Sequence, residues 1–156
     1  MADLIQLDVD DTQIRAVLQQ LANRATDAQP AMQHIASILL SHTEAAFAAQ
    51  GDPTKWRDLA DSTKAARTKD GTWPGRILQV TGELAASFTP DSGSDYAQVG
   101  SNKVQAAIQQ LGGMAGRDHK TEIPARPMLP ITEDKQLTPD ARTDILEFMG
   151  DYLSAP

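Results

Sequence analysis

Pro30-Ala31-Met32-Gln33-His34-Ile35-Ala36-Ser37-Ile38-Leu39-Leu40-Ser41-His42-Thr43-Glu44-Ala45-Ala46-Phe47 carries the strongest helical period in the chain. Met32, Ile35, Ala36, Leu39, Leu40, Thr43 and Phe47 recur at three- and four-residue steps, which lines them along one face of a helix. Pro30 suits the first turn, where its missing N–H costs nothing. Gly51-Asp52-Pro53 stops the run shortly after Ala49. At 1.5 Å per residue the helix spans roughly 30 Å, enough to cross a small domain.

Working outward, residues 12–26 read as a second amphipathic helix with Ile14, Val17, Leu18, Leu21 and Ala25 as its stripe. Asp10 or Asp11 is placed to cap it. The short break at Asp27-Ala28-Gln29 favours a helical hairpin. On the other side, residues 51–76 lose all period, apart from a possible helical turn near Leu59 to Arg67, and read as a long mobile loop. Trp56 and Trp73 stand in it. An exposed Trp there would suit a partner anchor, and a Trp covering the core fits the same pattern.

A helix is expected through Thr81 to Ser87. A β-hairpin follows from Ser87–Thr89 and Tyr96–Val99 around the turn cluster Thr89-Pro90-Asp91-Ser92-Gly93-Ser94-Asp95. Gly100-Ser101-Asn102 then caps a helix over Val104 to Leu111, closed by Gly112-Gly113. Residues 114–122 read as a second mobile loop. Prolines at 124, 127 and 130 forbid an interior helix and restrict any strand to an edge. Thr138-Pro139 opens a last helix that should bury Ile145, Leu146, Met149 and Leu153. The order predicts an α+β fold: a single domain with an N-terminal helical hairpin, a small antiparallel β-sheet and a C-terminal helix.

Composition narrows the chemistry. The chain has 156 residues, enough for one core, and no cysteine, which removes disulfides, thiolate metal sites and cysteine nucleophiles. Aromatic content of 4% leaves the core to aliphatic residues and alanine. The amino terminus lacks the basic and apolar regions of a signal peptide, and no apolar run reaches the roughly 20 residues of a membrane span. The protein is therefore expected to be soluble and to work where it is made.

A net charge of −7 argues against wrapping nucleic acid. Lys55, Arg57, Lys64, Arg67, Lys69 and Arg76 do outnumber Asp58, Asp61 and Asp70 locally, which fits a solvated face or mobile loop, or else a contact with DNA or an acidic partner. His34 and His42 are two helical turns apart and cannot share a metal. No zinc-protease, phosphate-loop or nucleophile-elbow motif is present. Asp8, Asp10 and Asp11 lack the glycine and distal Glu of a calcium loop, so a negatively charged helix start is the simpler account. Neither a catalytic residue nor a cofactor is expected.

Three stretches, in order, resemble the phage virion morphogenesis (tail completion) family of Mu-like and related contractile-tailed phages. They are Trp56-Arg57-Asp58-Leu59 with Ile77-Leu78-Gln79-Val80-Thr81-Gly82-Glu83-Leu84, then Val99-Gly100-Ser101 leading to Ala106–Gly113, then Ile123-Pro124-Ala125-Arg126-Pro127-Met128-Leu129. The sequence departs from the family's usual pattern at Gln105, Gln109 and Leu111, where members usually carry Tyr, His and an aromatic residue. The resemblance implies a structural protein, not an enzyme, that finishes the tail and readies it for the head. It also implies self-association into a ring, a hexamer by analogy, with tail tube, sheath or head connector proteins as further partners. A head-side connector or a small nucleic-acid-binding regulator are the alternatives.

The residues expected at a subunit or partner interface are Trp56, Arg67, Trp73, Arg76, Arg126 and Met128. Arg126, braced by prolines and permanently charged, is suited to a carboxylate on a neighbour, or to one within its own domain.

Overall fold

The structure, a computed structural model, describes residues 12–154; the expected cap at Asp10 or Asp11 and the Asp8-Asp10-Asp11 cluster lie outside them. Helix α1 (Thr12–Thr26) leads through two residues into α2 (Gln29–Ala49), the long helix that organises the rest. α2 packs against both strands of the first hairpin and against the C-terminal helix. It buries Ala31, Ala36, Thr43, Ala46 and Phe47 along one face, as its period requires. The Thr43 hydroxyl, fully enclosed, donates to the Leu39 carbonyl at 2.9 Å, so no polar group is stranded.

α2 ends on Gln50 in the left-handed region (φ 55°), with the Gly51 N–H donating back to the Ala46 carbonyl at 2.8 Å. Gly51 is obligatory: its φ is +112°, and a Cβ there would meet the Thr54 oxygen and the Trp56 nitrogen at 2.4 Å. This reversal brings Trp56 back under the helix it has just left. Phe47 then sits between Trp56 (ring centroids 5.5 Å, edge to face) and Phe88 (5.7 Å). Ala46, Ile77, Leu84 and Met128 complete the buried cluster.

Beyond it come α3 (Asp61–Lys69), strands β1 (Phe88–Ser92) and β2 (Ala97–Ser101), α4 (Ala106–Leu111), strands β3 (Gly113–Ala115) and β4 (Thr121–Ile123), and α5 (Pro139–Ser154). The two antiparallel pairs, β1–β2 and β3–β4, form separate sheets. The fold is α+β, as expected.

Several local readings need correction. The helix expected over 81–87 is one 3₁₀ turn, Ala85–Ser87, because Gly82 takes φ +74° and breaks it. The strands of the first hairpin reach into the presumed turn cluster, with Phe88 opposite Ser101 and Ser92 opposite Ala97; only the Gly93–Tyr96 reversal is left. α4 begins at Ala106 rather than Val104, since the Ser101 hydroxyl accepts from the Lys103 N–H (3.1 Å) before the helix starts. The two long loops are more structured than their lack of period suggests: 51–76 contains nine-residue α3, and 114–122 contributes to β3–β4. On α5, Leu146 (60% exposed) and Leu153 (39%) face outward; Ala141 is enclosed, and Ile145 and Met149 are half-buried. Leu18 and Ala25 of the α1 stripe are exposed and Leu21 is half-buried; the side chains of Ile14 and Val17 lie outside those described.

Candidate functional site

The proline-rich segment 124–130 returns across the chain near Trp56, and polar ties hold it there. Each proline lacks an N–H, which leaves fewer backbone donors to satisfy. The Arg126 N–H donates to the Gln109 carbonyl at 2.7 Å. The Met128 and Leu129 N–H groups both donate to Gln110 Oε1, at 2.7 and 3.0 Å. The Trp56 indole N–H donates to the Pro127 carbonyl at 2.7 Å. Met128 is thereby fixed inside the core, 1% exposed.

Arg126 is itself buried, at 6% exposure. Its Nε donates to the Arg57 carbonyl (3.0 Å) and a terminal nitrogen to the Asp58 carbonyl (3.2 Å). The guanidinium thus clamps a neighbouring backbone, and the expected carboxylate partner is replaced by two carbonyl oxygens. Burial holds its pKa below the ordinary value, and the nearby charges of Arg57 and Arg67 act in the same direction; Asp58 opposes them more weakly.

Outside this strap an open groove of about 670 Å³ runs between residues 57–63 and Thr121–Pro124. Arg57, Arg67 and Arg126 line it together with Leu78 and Gln109. Gln109 Oε1 is buried there without a hydrogen-bond partner among the described residues. Asp58, Asp61 and Glu122 also reach the groove. Of these, Asp58 is already taken: Lys64 Nζ lies 2.6 Å from its Oδ2 and the Leu59 N–H donates to Oδ1 at 2.7 Å. The Lys64 hydrogen bond is the main cause that lowers the Asp58 pKa, and the same bond raises that of Lys64.

The structure divides the six expected interface residues. Trp56, Arg126 and Met128 meet in the buried strap, where they hold the fold and could influence a partner only through the loop they fix. Arg67 is half-buried on the groove and donates to the Arg76 carbonyl at 3.0 Å, while the Arg76 side chain is exposed. Trp73 is half-buried, with the Lys64 ammonium 5.6 Å from its ring centroid. The histidines serve the α2–α5 seam: His34 stacks on Phe148 (4.1 Å), and His42 Nε2 lies 2.8 Å from Asp144 Oδ2. Among the described residues no group of three His, Asp or Glu could hold a metal.

The sequence alone does not single out Arg57 as a groove residue or Gln110 as an acceptor, and it marks Gln109 only as a departure from the family pattern. Their roles depend on chain segments far away. Nor does it single out Asp140, Asp144, Glu147 and Asp151 on α5, all exposed. Their spacing of four, three and four residues places them within about 60° of one helical face. That spacing is visible in the sequence itself, interleaved with the apolar residues of the same helix.

A sequence profile of the phage virion morphogenesis family matches residues 9–154. The chain is 43% identical over 128 residues to the putative capsid assembly protein G of Escherichia phage Mu, covering 78% of this chain and 80% of that protein. It is 35% identical over 150 residues to the Mu-like prophage FluMu G protein 2 of Haemophilus influenzae, covering 96% of each. A second Haemophilus influenzae prophage protein, FluMu G protein 1, is 31% identical over 134 residues, 83% of this chain and 86% of that one. No solved structure matches the chain.

Proposed function

The chain belongs to the phage virion morphogenesis family and serves the assembly of phage particles, and from that premise we propose that it completes the tail and makes it competent to join the head, acting as a homo-oligomeric ring. The observation that carries this reading is the extent of the family match, which spans 9–154 and so includes the strap, the groove and α5. The surface supports self-association. Val104 is 95% exposed, Leu111 74% and Met114 51%, all on or beside α4. Exposed apolar side chains gathered in one region suit a protein–protein contact. The role is structural, and the groove needs no catalytic step to serve it.

A second reading, an assembly factor on the head side, is favoured by one specific fact: the phage Mu relative is named for capsid assembly. The nucleic-acid reading is weakened by the basic segment itself. Lys64 pairs with Asp58, and Asp61 and Asp70 stand among the remaining cations, which weakens the segment as a phosphate-binding surface.

Removing the gene from a producing phage or prophage separates the first two readings. Tail completion predicts full heads beside tails that fail to join until purified protein is added to the tails. Head-side action predicts that the protein must be added to the heads. Normal infectious particles without the gene would overturn both. Native mass measurement of the purified protein, alone and with tails, tests the ring.

A further inference from the structure

The proposed ring requires each copy to present two different, mutually complementary surfaces, because head-to-tail contacts are what close into rings larger than a dimer. The molecule has such a pair. One is the groove, where Arg57 and Arg67 stand beside buried Arg126. Of its three carboxylates, Asp58 pairs with Lys64, which leaves Asp61 and Glu122 against the three arginines. The other is the exposed acidic face of α5, Asp140, Asp144, Glu147 and Asp151. Asp144 has His42 as an internal partner. No residue belongs to both surfaces, so one copy can use both at once.

We propose that the Arg57–Arg67 groove of one copy receives the acidic face of α5 from the next copy, and that this contact is the repeating joint of the assembly. The inference rests on the ring reading and supplies its geometry. Arginine suits the receiving side because its planar fork takes a carboxylate through two hydrogen bonds. Arg126 is held in place at the groove by two of its five N–H donors, which bind the Arg57 and Asp58 carbonyls. It contributes a fixed positive charge to the groove lining. The orphaned Gln109 Oε1 is an acceptor in the same wall, and a donor on the incoming segment would satisfy it.

Charge reversal in separate chains tests the joint. One variant carries Arg57→Glu and Arg67→Glu, the other Glu147→Arg and Asp151→Arg; none of these side chains holds the core. Each variant alone should lose self-association by on the order of tenfold or more. An equimolar mixture should recover it, because each reversed surface then meets its reversed complement. Unchanged far-ultraviolet circular dichroism and urea midpoints show that both variants are folded, and the mixture's recovery shows it independently. If the groove variant assembles like the natural protein, the joint is wrong and the ring stands. If the groove variant fails while the α5 variant assembles normally, the groove serves a different acidic partner and the inference is overturned. If the natural protein stays monomeric even with purified tails, ring and joint fall together.

Discussion

Two cations show how differently this molecule uses charge. Lys64 makes a short ion pair with Asp58, 2.6 Å apart, on an exposed shelf at α3. Arg126 makes no carboxylate contact within hydrogen-bond distance among the described residues and lies almost wholly buried between backbone carbonyls. The shorter contact is the weaker determinant of stability. Water screens an exposed pair, and ordering two long side chains offsets most of the attraction. A buried guanidinium with neutral acceptors has no such alternative: if it leaves, carbonyl oxygens are stranded in a dry interior.

The largest effect should come from the aromatic beside Arg126. Trp56→Ala removes the ring that packs against Phe47 and the donor to Pro127, and should lower unfolding stability by about 4 kcal/mol in urea titration. Since domains of this kind have only about 5–15 kcal/mol in total, that loss is roughly a quarter to four-fifths of the stability. Arg126→Met keeps the volume and strands the Arg57 and Asp58 carbonyls, at a cost of about 3 kcal/mol. Equal stability of that variant and the natural protein would mean the carbonyls find water, and the contrast between the two cations would collapse. Gln110→Leu leaves the Met128 and Leu129 N–H groups without their acceptor and should cost about 2 kcal/mol.

Asp58→Asn should have the smallest effect, leaving the urea midpoint nearly unmoved at neutral pH and less moved still in high salt. Its pH dependence has a definite sign. Asp58 has a lowered folded pKa, so its contribution is present above 3.8 and is lost as pH falls through the folded value. Lys64 has a raised one, so its part is present below 10.5 and is lost as pH rises through the folded value. The difference between Asp58→Asn and the natural protein should therefore vanish at both extremes.

The same contrast marks what the sequence made legible. α2 could be read because its buried face repeats every three to four residues, and its stop because Gly51 must adopt a backbone few residues accept. Thr138-Pro139 likewise announces α5. Trp56 could be placed in the core or on a surface, and only the fold decides. β3 and β4, at three residues each, are too short to show a period. The Arg126 clamp left no trace because its acceptors are main-chain oxygens, which every residue possesses, 68 and 69 positions away. The groove gathers residues 57–63, 67, 78, 109, 121–124 and 126 through tertiary structure alone.

That long reach across the chain sets a timetable for the protein's birth. The Trp56–Pro127 tie joins residues 71 apart, and the loop must close before the contact can stabilise anything. At ribosomal speeds of roughly 5–20 residues per second, about 4–14 s separate the appearance of one partner from the other. Throughout that interval Phe47 and Trp56 lack Met128, the residue that finally seals them in. The nascent chain is thus vulnerable to chaperone capture or aggregation until residue 129 emerges, and any truncation upstream of it should leave a protein that cannot shut its own core.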